Sequence, residues 1–507
     1  MIMANRERSS GLILHPTSLP GRFGVGNLGP AAFEFVDFLS LAGQKRWQIL
    51  PLCPPGEGNS PYSAYSAFAG NPILISPEKL VDDGLLAAED LADVPEFSTE
   101  FVEFDRVTKW KSEMLAKAFE AFRAGAAPQL TDEFEYFCKN NAWWLDDYSL
   151  FRALKSSHSE KAWFQWAEPL RSREPAAIAT VLSQLAREIQ TEKFSQYLFF
   201  RQWFAVRRYA NERGIKIVGD LPIFVALDSA DVWCNQRSFK LKPDGSPTVV
   251  AGVPPDYFSK TGQLWGNPIY NWEAMLKDDF GWWTARLAFN YEIVDIVRLD
   301  HFIGFIRNWE VPGGDETAEN GKWSPVPGQM LFRTLLRRLG PFRVIAEDLG
   351  AMTAEVEALR DDFGFPGMRI LQFAFGGDEA NSNLPHNYIP NSVVYTGTHD
   401  NDTTAGWWRS ISGKKKGWEA KTRKHCLEYL QTNGREMHWE MIRAAWASVA
   451  ETAIVPLQDV FGLDNKHRMN LPASTDGNWK WRLADGALTP EIADRLRQLT
   501  ELYGRLA

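Results

Sequence analysis

Short apolar runs rich in β-branched residues recur along the whole chain, and helical periodicity or a longer insertion separates each run from the next. Continuous apolar strands that alternate with helices are typical of a parallel sheet covered on both faces. Eight such strands close a barrel, so the sequence predicts an α/β fold of the (β/α)8 TIM-barrel class. The predicted strands are residues 11–14, 47–52, 215–223, 293–299, 343–346, 368–373, 393–396 and 453–457.

Two connections in this pattern are too long for ordinary crossovers. Residues 60–214 show helical periodicity and are interpreted as a helical insertion between the second and third strands, whose aromatic residues Tyr197 and Phe200 are expected in the core. Residues 224–290 are rich in proline and glycine and are interpreted as an irregular rim-loop insertion between the third and fourth strands. Since no linker is visible, residues 1–507 are predicted to form one barrel domain.

Charge and cysteine content exclude several classes of function. The chain carries 55 Lys and Arg against 64 Asp and Glu without long like-charged blocks, so neither nucleic acid nor a membrane surface is an expected partner. The four cysteines lie far apart and show no metal-ligand spacing, which argues against a zinc site and indicates a reducing compartment. A polar N-terminal segment and the lack of any apolar stretch of about 18 residues predict a cytoplasmic protein.

Three segments each place a carboxylate at the end of an apolar run: VRLDH (297–301), AEDLG (346–350) and THDND (398–402). In a parallel barrel the C-terminal strand ends share one rim, so Asp300, Glu347 and Asp400 are expected to face one cavity. Retention at a glycosidic bond requires a carboxylate nucleophile about 5 to 5.5 Å from a protonated carboxylic acid. Neighbouring strands can supply that pair, and the pattern therefore indicates carbohydrate chemistry.

Each acid suits a different role in such a reaction. Arg298 lies two residues before Asp300 on the same strand face, and its positive charge favours an ionised, nucleophilic Asp300. Glu347 follows an apolar run, where desolvation can keep it protonated for acid and then base catalysis. Asp400 is predicted to stabilise positive charge at the anomeric carbon.

Structural roles compete with these assignments. An internal ion pair, a helix cap and a turn would explain the three acidic segments one at a time, because structural ion pairs also perturb ionisation. One active site accounts for all three together, whereas the structural explanation requires three unrelated coincidences at one rim. In that site His301 and His399 are expected to donate hydrogen bonds to sugar hydroxyls.

With several further motifs, these segments resemble the catalytic regions of the amylomaltases, the 4-α-glucanotransferases or disproportionating enzymes of the α-amylase clan. The resemblance covers nearly the whole chain and implies the compact form of the family, without a C-terminal β-sandwich. The further motifs are HPTSLPG (15–21), SPY (60–62), FAGNP (68–72), GDLPIFV (219–225), the loop 249–267, RMN (468–470) and GNW (477–479).

By that resemblance Asp300 aligns with the family nucleophile, Glu347 with the acid/base and Asp400 with the transition-state stabiliser, in agreement with the roles assigned from the residues. Asp220 matches the acid that ends the third strand, and its alternative role is to hold Arg298. The resemblance also implies glucan contacts from a loop folded over the acceptor side and from an aromatic residue of the insertion: Asp256, Tyr257, Phe258, Trp265 and Tyr62. For Tyr62, a packed position is an equally good alternative on burial preferences.

The implied activity is that of a retaining 4-α-glucanotransferase, which moves α-1,4-glucan segments between maltooligosaccharides or to glucose through a covalent glucosyl-enzyme. An α-1,4-glucan hydrolase shares every catalytic residue and is the alternative. A glucan-binding barrel without activity is a third alternative, against which the three intact acids argue. Neither a metal ion nor another cofactor is expected, and the sequence leaves the oligomeric state open.

Overall fold

The computed structural model describes residues 8–255, 259–350, 352–472, 474 and 476–506. In chain order, the strands of this part of the chain are β1 (Ser9–Ile13), β2 (Arg46–Gln48), β3 (Lys216–Leu221), β4 (Val249–Val253), β5 (Gln263–Pro268), β6 (Ile296–Leu299), β7 (Arg307–Pro312), β8 (Lys322–Pro325), β9 (Val344–Ala346), β10 (Gly367–Ile370), β11 (Ser392–Tyr395) and β12 (Thr452–Pro456). They form a closed parallel barrel and a separate antiparallel sheet.

The closed barrel contains β1, β2, β3, β6, β9, β10, β11 and β12 in that order, and β12 pairs in parallel with β1. Each predicted strand corresponds to one of these eight, which confirms the (β/α)8 TIM-barrel class. Apolar side chains from alternating strand positions fill the interior, as the pleat requires. The buried interior residues are Ile13, Val218, Ile345, Met368, Ile370, Val393, Tyr395 and Ile454.

Five predicted strands are longer than the observed ones, and two of these extend three or more residues past the C-terminal end of the strand. The prediction for residues 47–52 extends past the end of β2 at Gln48, and that for residues 368–373 extends past the end of β10 into a short 3-10 helix, Leu371–Phe373. The residues beyond β2 are still buried, since Ile49 and Leu50 are each 1% exposed. Apolar sequence reports burial rather than strand pairing, which explains why these two boundaries were wrong.

Helices surround the barrel and fill the interval between β2 and β3. Their bounds are α1 (Pro30–Leu41), α2 (Pro77–Asp82), α3 (Phe104–Arg123), α4 (Thr131–Ser157), α5 (Glu168–Arg171), α6 (Pro175–Gln184), α7 (Ala186–Glu212), α8 (Ala230–Cys234), α9 (Trp272–Lys277), α10 (Gly281–Ile293), α11 (Gly328–Leu339), α12 (Ala354–Asp362), α13 (Thr404–Ile411), α14 (Trp418–Leu430), α15 (Met437–Ala447), α16 (Leu457–Val460) and α17 (Pro490–Leu502).

The long helices α4 and α7 pack against each other beside the barrel, and their aromatic side chains form much of the contact. Tyr197 and Phe200 on α7 are both 3% exposed, and the Tyr197 ring lies 5.7 Å from that of Phe134 on α4. These aromatic residues therefore belong to the core, as predicted. Gly214, at a φ of +72°, follows the end of α7 and turns the chain into β3.

A four-stranded antiparallel sheet, with the order β5-β4-β7-β8, occupies part of the interval expected to be irregular. The expectation was wrong for β4 and β5. β4 pairs with β7, so that Val249 lies opposite Pro312 and Gly252 opposite Trp309. Because β7 follows the barrel strand β6, this pairing joins distant parts of the chain, and local proline and glycine content could not indicate it.

All four cysteines are free thiols. Within the residues the structure describes, we find no helix that combines the length and the apolar character needed to cross a membrane.

Candidate active site

The three candidate acids all follow barrel strands at one rim. Asp300 comes directly after β6, and its backbone N–H donates to the carbonyl of Leu221 at the end of β3 (3.0 Å). Glu347 comes directly after β9, and its N–H donates to the carbonyl of Leu299 (3.0 Å). Asp400 lies in the turn that follows β11. The regular barrel ladder therefore carries the first two acids to adjacent positions.

Arg298 joins two carboxylates at the base of the site. Its Nη1 donates to both oxygens of Asp220 (2.7 and 2.8 Å) and to Oδ1 of Asp300 (3.0 Å). The Asp220 side chain is fully buried and that of Arg298 is 4% exposed, whereas Asp300 retains 27%. In this arrangement Asp220 holds Arg298 and only Asp300 faces the opening, so glucan contacts by Asp220 and Arg298 remain predictions.

Glu347 is held by the backbone of the neighbouring strand end. Its Oε2 accepts a 2.6 Å hydrogen bond from the His301 N–H, the amide that links Asp300 to His301, and its Oε1 accepts from the Leu349 N–H (3.2 Å). Burial raises the pKa of Glu347 to about 8; Arg298 opposes this shift and Asp300 adds to it. A carboxyl group with that pKa is protonated at neutral pH and can act as a general acid.

His301 adopts a left-handed backbone conformation, with φ at 50° and ψ at 56°, which turns its N–H toward Glu347. Such a conformation is unusual for a residue with a side chain and is common at functional sites. Burial lowers the pKa of its imidazole to about 4. A neutral imidazole can both donate and accept hydrogen bonds, which suits contact with a sugar hydroxyl.

Asp400 is fixed from two sides. Its Oδ1 accepts from the Asn470 amide (2.6 Å), and its Oδ2 lies 3.3 Å from Nε2 of His399. Burial alone would raise the pKa of Asp400, but His399 and Asn470 outweigh it and hold the pKa below the usual range. For His399, burial alone would lower the pKa, but Asp400 outweighs it and raises the pKa above the usual value.

Tyr62 links the two halves of the site. Its hydroxyl donates to Oδ2 of Asp220 (2.8 Å) and lies 2.8 Å from Nε2 of His399, and its ring stacks on the His399 ring at 5.2 Å. The hydroxyl is thereby engaged on both sides by the protein. This geometry favours a bridging role for Tyr62. A contact between Tyr62 and glucan remains a prediction.

These contacts form one continuous chain of hydrogen bonds and ion pairs across the rim, which runs through Asp300, Arg298, Asp220, Tyr62, His399 and Asp400. Asp300 and Asp400 lie at its opposite ends, and the protonated Glu347 lies beside Asp300. A double displacement at an anomeric carbon requires a nucleophilic carboxylate and a proton donor, and a further carboxylate can stabilise the charge of its transition state.

Trp265 lies on β5 at the edge of the site. Its ring contacts that of His301 edge-on at 4.7 Å and that of Phe224 at 6.3 Å, and 37% of the residue is exposed. The antiparallel sheet thus brings an aromatic face beside His301, whose N–H binds Glu347. The remaining predicted contacts of this segment, Asp256, Tyr257 and Phe258, lie outside the described residues.

Sequence reasoning assigned no role to Asn470 or Trp479, which the structure brings to this site. Asn470 donates to Asp400, and the Trp479 ring lies 5.7 Å from Tyr62 and 6.1 Å from His399. Both belong to motifs that resemble the family, RMN and GNW, and that signal could have found them. An amide and an indole do not titrate, so a search for titratable groups passes over them. Among the described residues, no group of three or more His, Cys, Asp or Glu side chains could hold a metal ion.

Comparison with known proteins gives consistent matches over nearly the whole chain. A sequence profile described as 4-α-glucanotransferase matches residues 14–489. A 4-α-glucanotransferase of Synechocystis sp. is 49% identical over 98% of each chain, and one of Thermus thermophilus is 47% identical over 98% of this chain and 99% of the relative. The solved structure of an amylomaltase from Streptococcus agalactiae in complex with acarbose superposes with a TM-score of 0.94 at 37% identity, over 98% of this chain and 100% of the other.

Proposed function

This chain belongs to the 4-α-glucanotransferase family, and we propose that Asp300, Glu347 and Asp400 carry out its transglycosylation as nucleophile, acid/base and transition-state stabiliser. The reaction is a retaining double displacement, in which two inversions at the anomeric carbon restore its configuration. Donor and acceptor are α-1,4-glucans of the maltooligosaccharide class.

In the first step Asp300 attacks the anomeric carbon of the donor glucan. The bond between that carbon and the glycosidic oxygen breaks, the leaving oxygen takes the proton of Glu347, and an ester bond forms to an Asp300 oxygen. The raised pKa of Glu347 supports this step, because the proton is present on the acid at neutral pH. The contact with Arg298 supports the nucleophilic role, because the guanidinium holds an oxygen of Asp300 in place at the opening of the site.

Positive charge develops on the sugar ring in the transition state, and Asp400 stabilises it. The carboxylate is 43% exposed, and Asn470 and His399 fix its orientation before the substrate arrives. A preorganised charge of this kind stabilises the transition state without reorganisation at the moment of reaction.

In the second step the 4-hydroxyl of an acceptor attacks the ester. Glu347, now ionised, takes the hydroxyl proton, the new glycosidic bond forms, and Asp300 is released as a carboxylate. Glucose and maltooligosaccharides both present that hydroxyl, so both serve as acceptors.

Transfer requires that a glucan compete successfully with water for the glucosyl-enzyme. The exposed face of Trp265, beside His301, offers a stacking surface for an acceptor ring, and binding there holds the hydroxyl for attack. Hydrolysis would use the same three acids. Relatives that match nearly the whole chain are named 4-α-glucanotransferases, which favours transfer over hydrolysis.

The single observation that carries the proposal is the continuous chain of contacts from Asp300 to Asp400, with the protonated Glu347 beside it. The test is incubation of the protein with maltotriose. We expect glucose and longer chains at a constant number of reducing ends, together with incorporation of labelled glucose into oligosaccharides. A steady rise in reducing ends would instead identify a hydrolase.

A matched pair of tryptophan variants tests the acceptor surface. Trp265 and Trp323 are both 37% exposed and lie in the same antiparallel sheet, but only Trp265 contacts His301. We expect Trp265→Ala to raise the ratio of hydrolysis to transfer and Trp323→Ala to leave that ratio unchanged. Equal effects of the two substitutions would remove Trp265 from the acceptor site.

A cytoplasmic location is part of the proposal. Four free thiols support it, because reducing compartments keep cysteines unpaired. Fractionation of the source cells, followed by immunodetection, should recover the protein in the cytoplasmic fraction, and recovery in a secreted or organellar fraction would contradict the proposal.

A further inference from the structure

Two histidine rings at the barrel rim each bury a nitrogen that has no hydrogen-bond partner among the described residues. His15 follows β1 and is 6% exposed, and His399 follows β11 and is 4% exposed. The unpartnered atom is Nδ1 in both rings. A buried polar atom without a partner destabilises the fold, so native structures usually satisfy it with protein or water.

The other nitrogen of His399 is already engaged, which limits what its Nδ1 can do. Tyr62 donates its only hydroxyl proton to Asp220, so the Tyr62 oxygen can only accept from Nε2 of His399. Asp400 is likewise an acceptor beside Nε2. Nε2 of His399 therefore carries a proton. When the ring is cationic, Nδ1 also carries a proton and needs an acceptor.

A small cavity connects the two rings. His15 and His399 both line it, together with Ser18 and Asn401, and it leaves about 20 Å³ open to a water molecule. One water needs about 10 to 15 Å³ and two to four polar partners. The cavity therefore accommodates one water molecule next to both rings.

We propose that His15 is a positioning residue for the transition-state stabiliser. In this arrangement Nδ1 of His399 donates to the cavity water, and that water donates to Nδ1 of His15. The bridge holds the His399 ring in its cationic form, with Nε2 directed at Asp400. The inference rests on the proposed role of Asp400, and it adds His15, which follows β1, to the residues that position Asp400.

The charges around His399 are consistent with this direction of donation. Burial and then the charge of His399 lower the pKa of His15 to about 3, so His15 is neutral and can accept. The other charged groups that act on His399 are Asp400, Asp220 and Arg298, and Tyr62 contacts it directly. Arg468 and Asp402 also line the cavity, and they form an ion pair with each other (Nη1 to Oδ1, 2.5 Å), so their charges offset one another.

Two substitutions at position 15 separate hydrogen bonding from packing. In His15→Asn, the amide oxygen takes the place of Nδ1 and keeps the acceptor, whereas His15→Leu removes it. His15→Gln serves as a further comparison, because the longer glutamine side chain places its amide at the position of Nε2 of His15 and not at that of Nδ1. His438→Leu on α15 is the matched control, since His438 is half-buried and the charged groups that act on it, Glu436 and Arg495, do not belong to the site.

The direct readout is the titration of His399 in the full-length protein with 13C-labelled histidine Cε1. The chain has eight histidines, and His399→Gln assigns the signal. We expect the His399 pKa to fall by about one unit or more in His15→Leu and His15→Gln, because a hydrogen bond to a charged group is lost. His15→Asn and His438→Leu should keep it near the wild-type value.

Steady-state kinetics with maltotriose give the second readout. We expect His15→Leu to lower kcat about tenfold with little change in KM, because the effect is on Asp400 in the transition state, and His15→Asn to restore most of kcat. An unchanged His399 titration in His15→Leu would overturn the proposal, as would equal defects in the Asn and Leu variants. If His15→Leu does not fold, the His399 pKa of His15→Asn is compared with that of His15→Gln, and equal values would overturn the proposal. Because the titration does not depend on activity, failure of the proposed catalytic roles would leave this test intact.

Discussion

The protonation of Glu347 can be tested through the pH dependence of the reaction. The pKa of this carboxyl is raised from the usual 4.5 to about 8, with burial as the main cause. That difference of about 3.5 units corresponds to about 5 kcal/mol in favour of the protonated acid. At pH 7 about ten molecules in eleven hold the proton, so kcat/KM for a maltooligosaccharide donor should fall about tenfold between pH 7 and pH 9.

The assay compares two donors across that range. Maltotriose needs a proton on its leaving oxygen, whereas the fluoride ion of α-maltosyl fluoride leaves without one. We expect an alkaline limb with a midpoint near pH 8 for maltotriose, since kcat/KM reports the free enzyme, and no such limb for initial fluoride release.

Matched Glu→Gln variants complete the experiment. Glu347→Gln should lose the reaction with maltotriose but retain fluoride release from the activated donor. Glu357→Gln, at an exposed position of α12, should behave as the wild type with both donors. An alkaline limb of the same midpoint for both donors, or a maltotriose limb near pH 5, would refute the assignment of Glu347 as a buried, protonated acid.

Four further perturbations test the site. Asp300→Asn should lower kcat for transfer at least about 1,000-fold with an unchanged circular dichroism spectrum, because it removes the nucleophile at constant volume; near-normal transfer would show that the nucleophile is another residue. Tyr62→Phe removes the hydroxyl between Asp220 and His399 and should cost about 1 to 3 kcal/mol in the free energy of unfolding, measured by urea denaturation; an unchanged midpoint would contradict the bridging role. Asn470→Ala removes a 2.6 Å donor to Asp400 and should move the acidic limb of kcat to higher pH; a coincident pH profile would exclude that contact as a cause of the lowered pKa. Glu347→Gln should also change the pH dependence of stability: because the folded-state pKa is raised, the wild type loses stability as pH rises from about 4.5 to about 8, so the advantage of the variant should grow across that window and stay constant above it. A difference in stability between the wild type and Glu347→Gln that does not depend on pH would contradict the raised pKa of Glu347.

The position of Asp300 and Glu347 could be predicted because it depends on local pattern and on a property of the fold. An apolar run marks a buried strand, and every parallel strand of a barrel ends at the same rim, so an acid that follows such a run lies at that rim. The hydrogen bonds of their backbone N–H groups to the preceding strands express this rule directly. No knowledge of side-chain contacts is needed for it.

The antiparallel sheet could not be predicted in the same way. β4 pairs with β7, which comes after the barrel strand β6 in the chain. The segments that flank β4 are rich in proline and glycine. Strand pairing is a contact between distant segments, whereas proline and glycine content describes only the local chain. The position of Trp265 beside His301 depends on that pairing.

By itself, then, the sequence determined the barrel, the strand ends that carry Asp300 and Glu347, and the resemblance that names the family. Only the tertiary structure decided which groups hold and tune the acids: Tyr62 meets His399 across 337 residues of chain, and the N–H of His301 meets Glu347 across 46. The raised pKa of Glu347 and the lowered pKa of Asp400 follow from burial and from such neighbours. Ionisation depends on the distance between charges in space and on their access to water, and a linear sequence specifies neither.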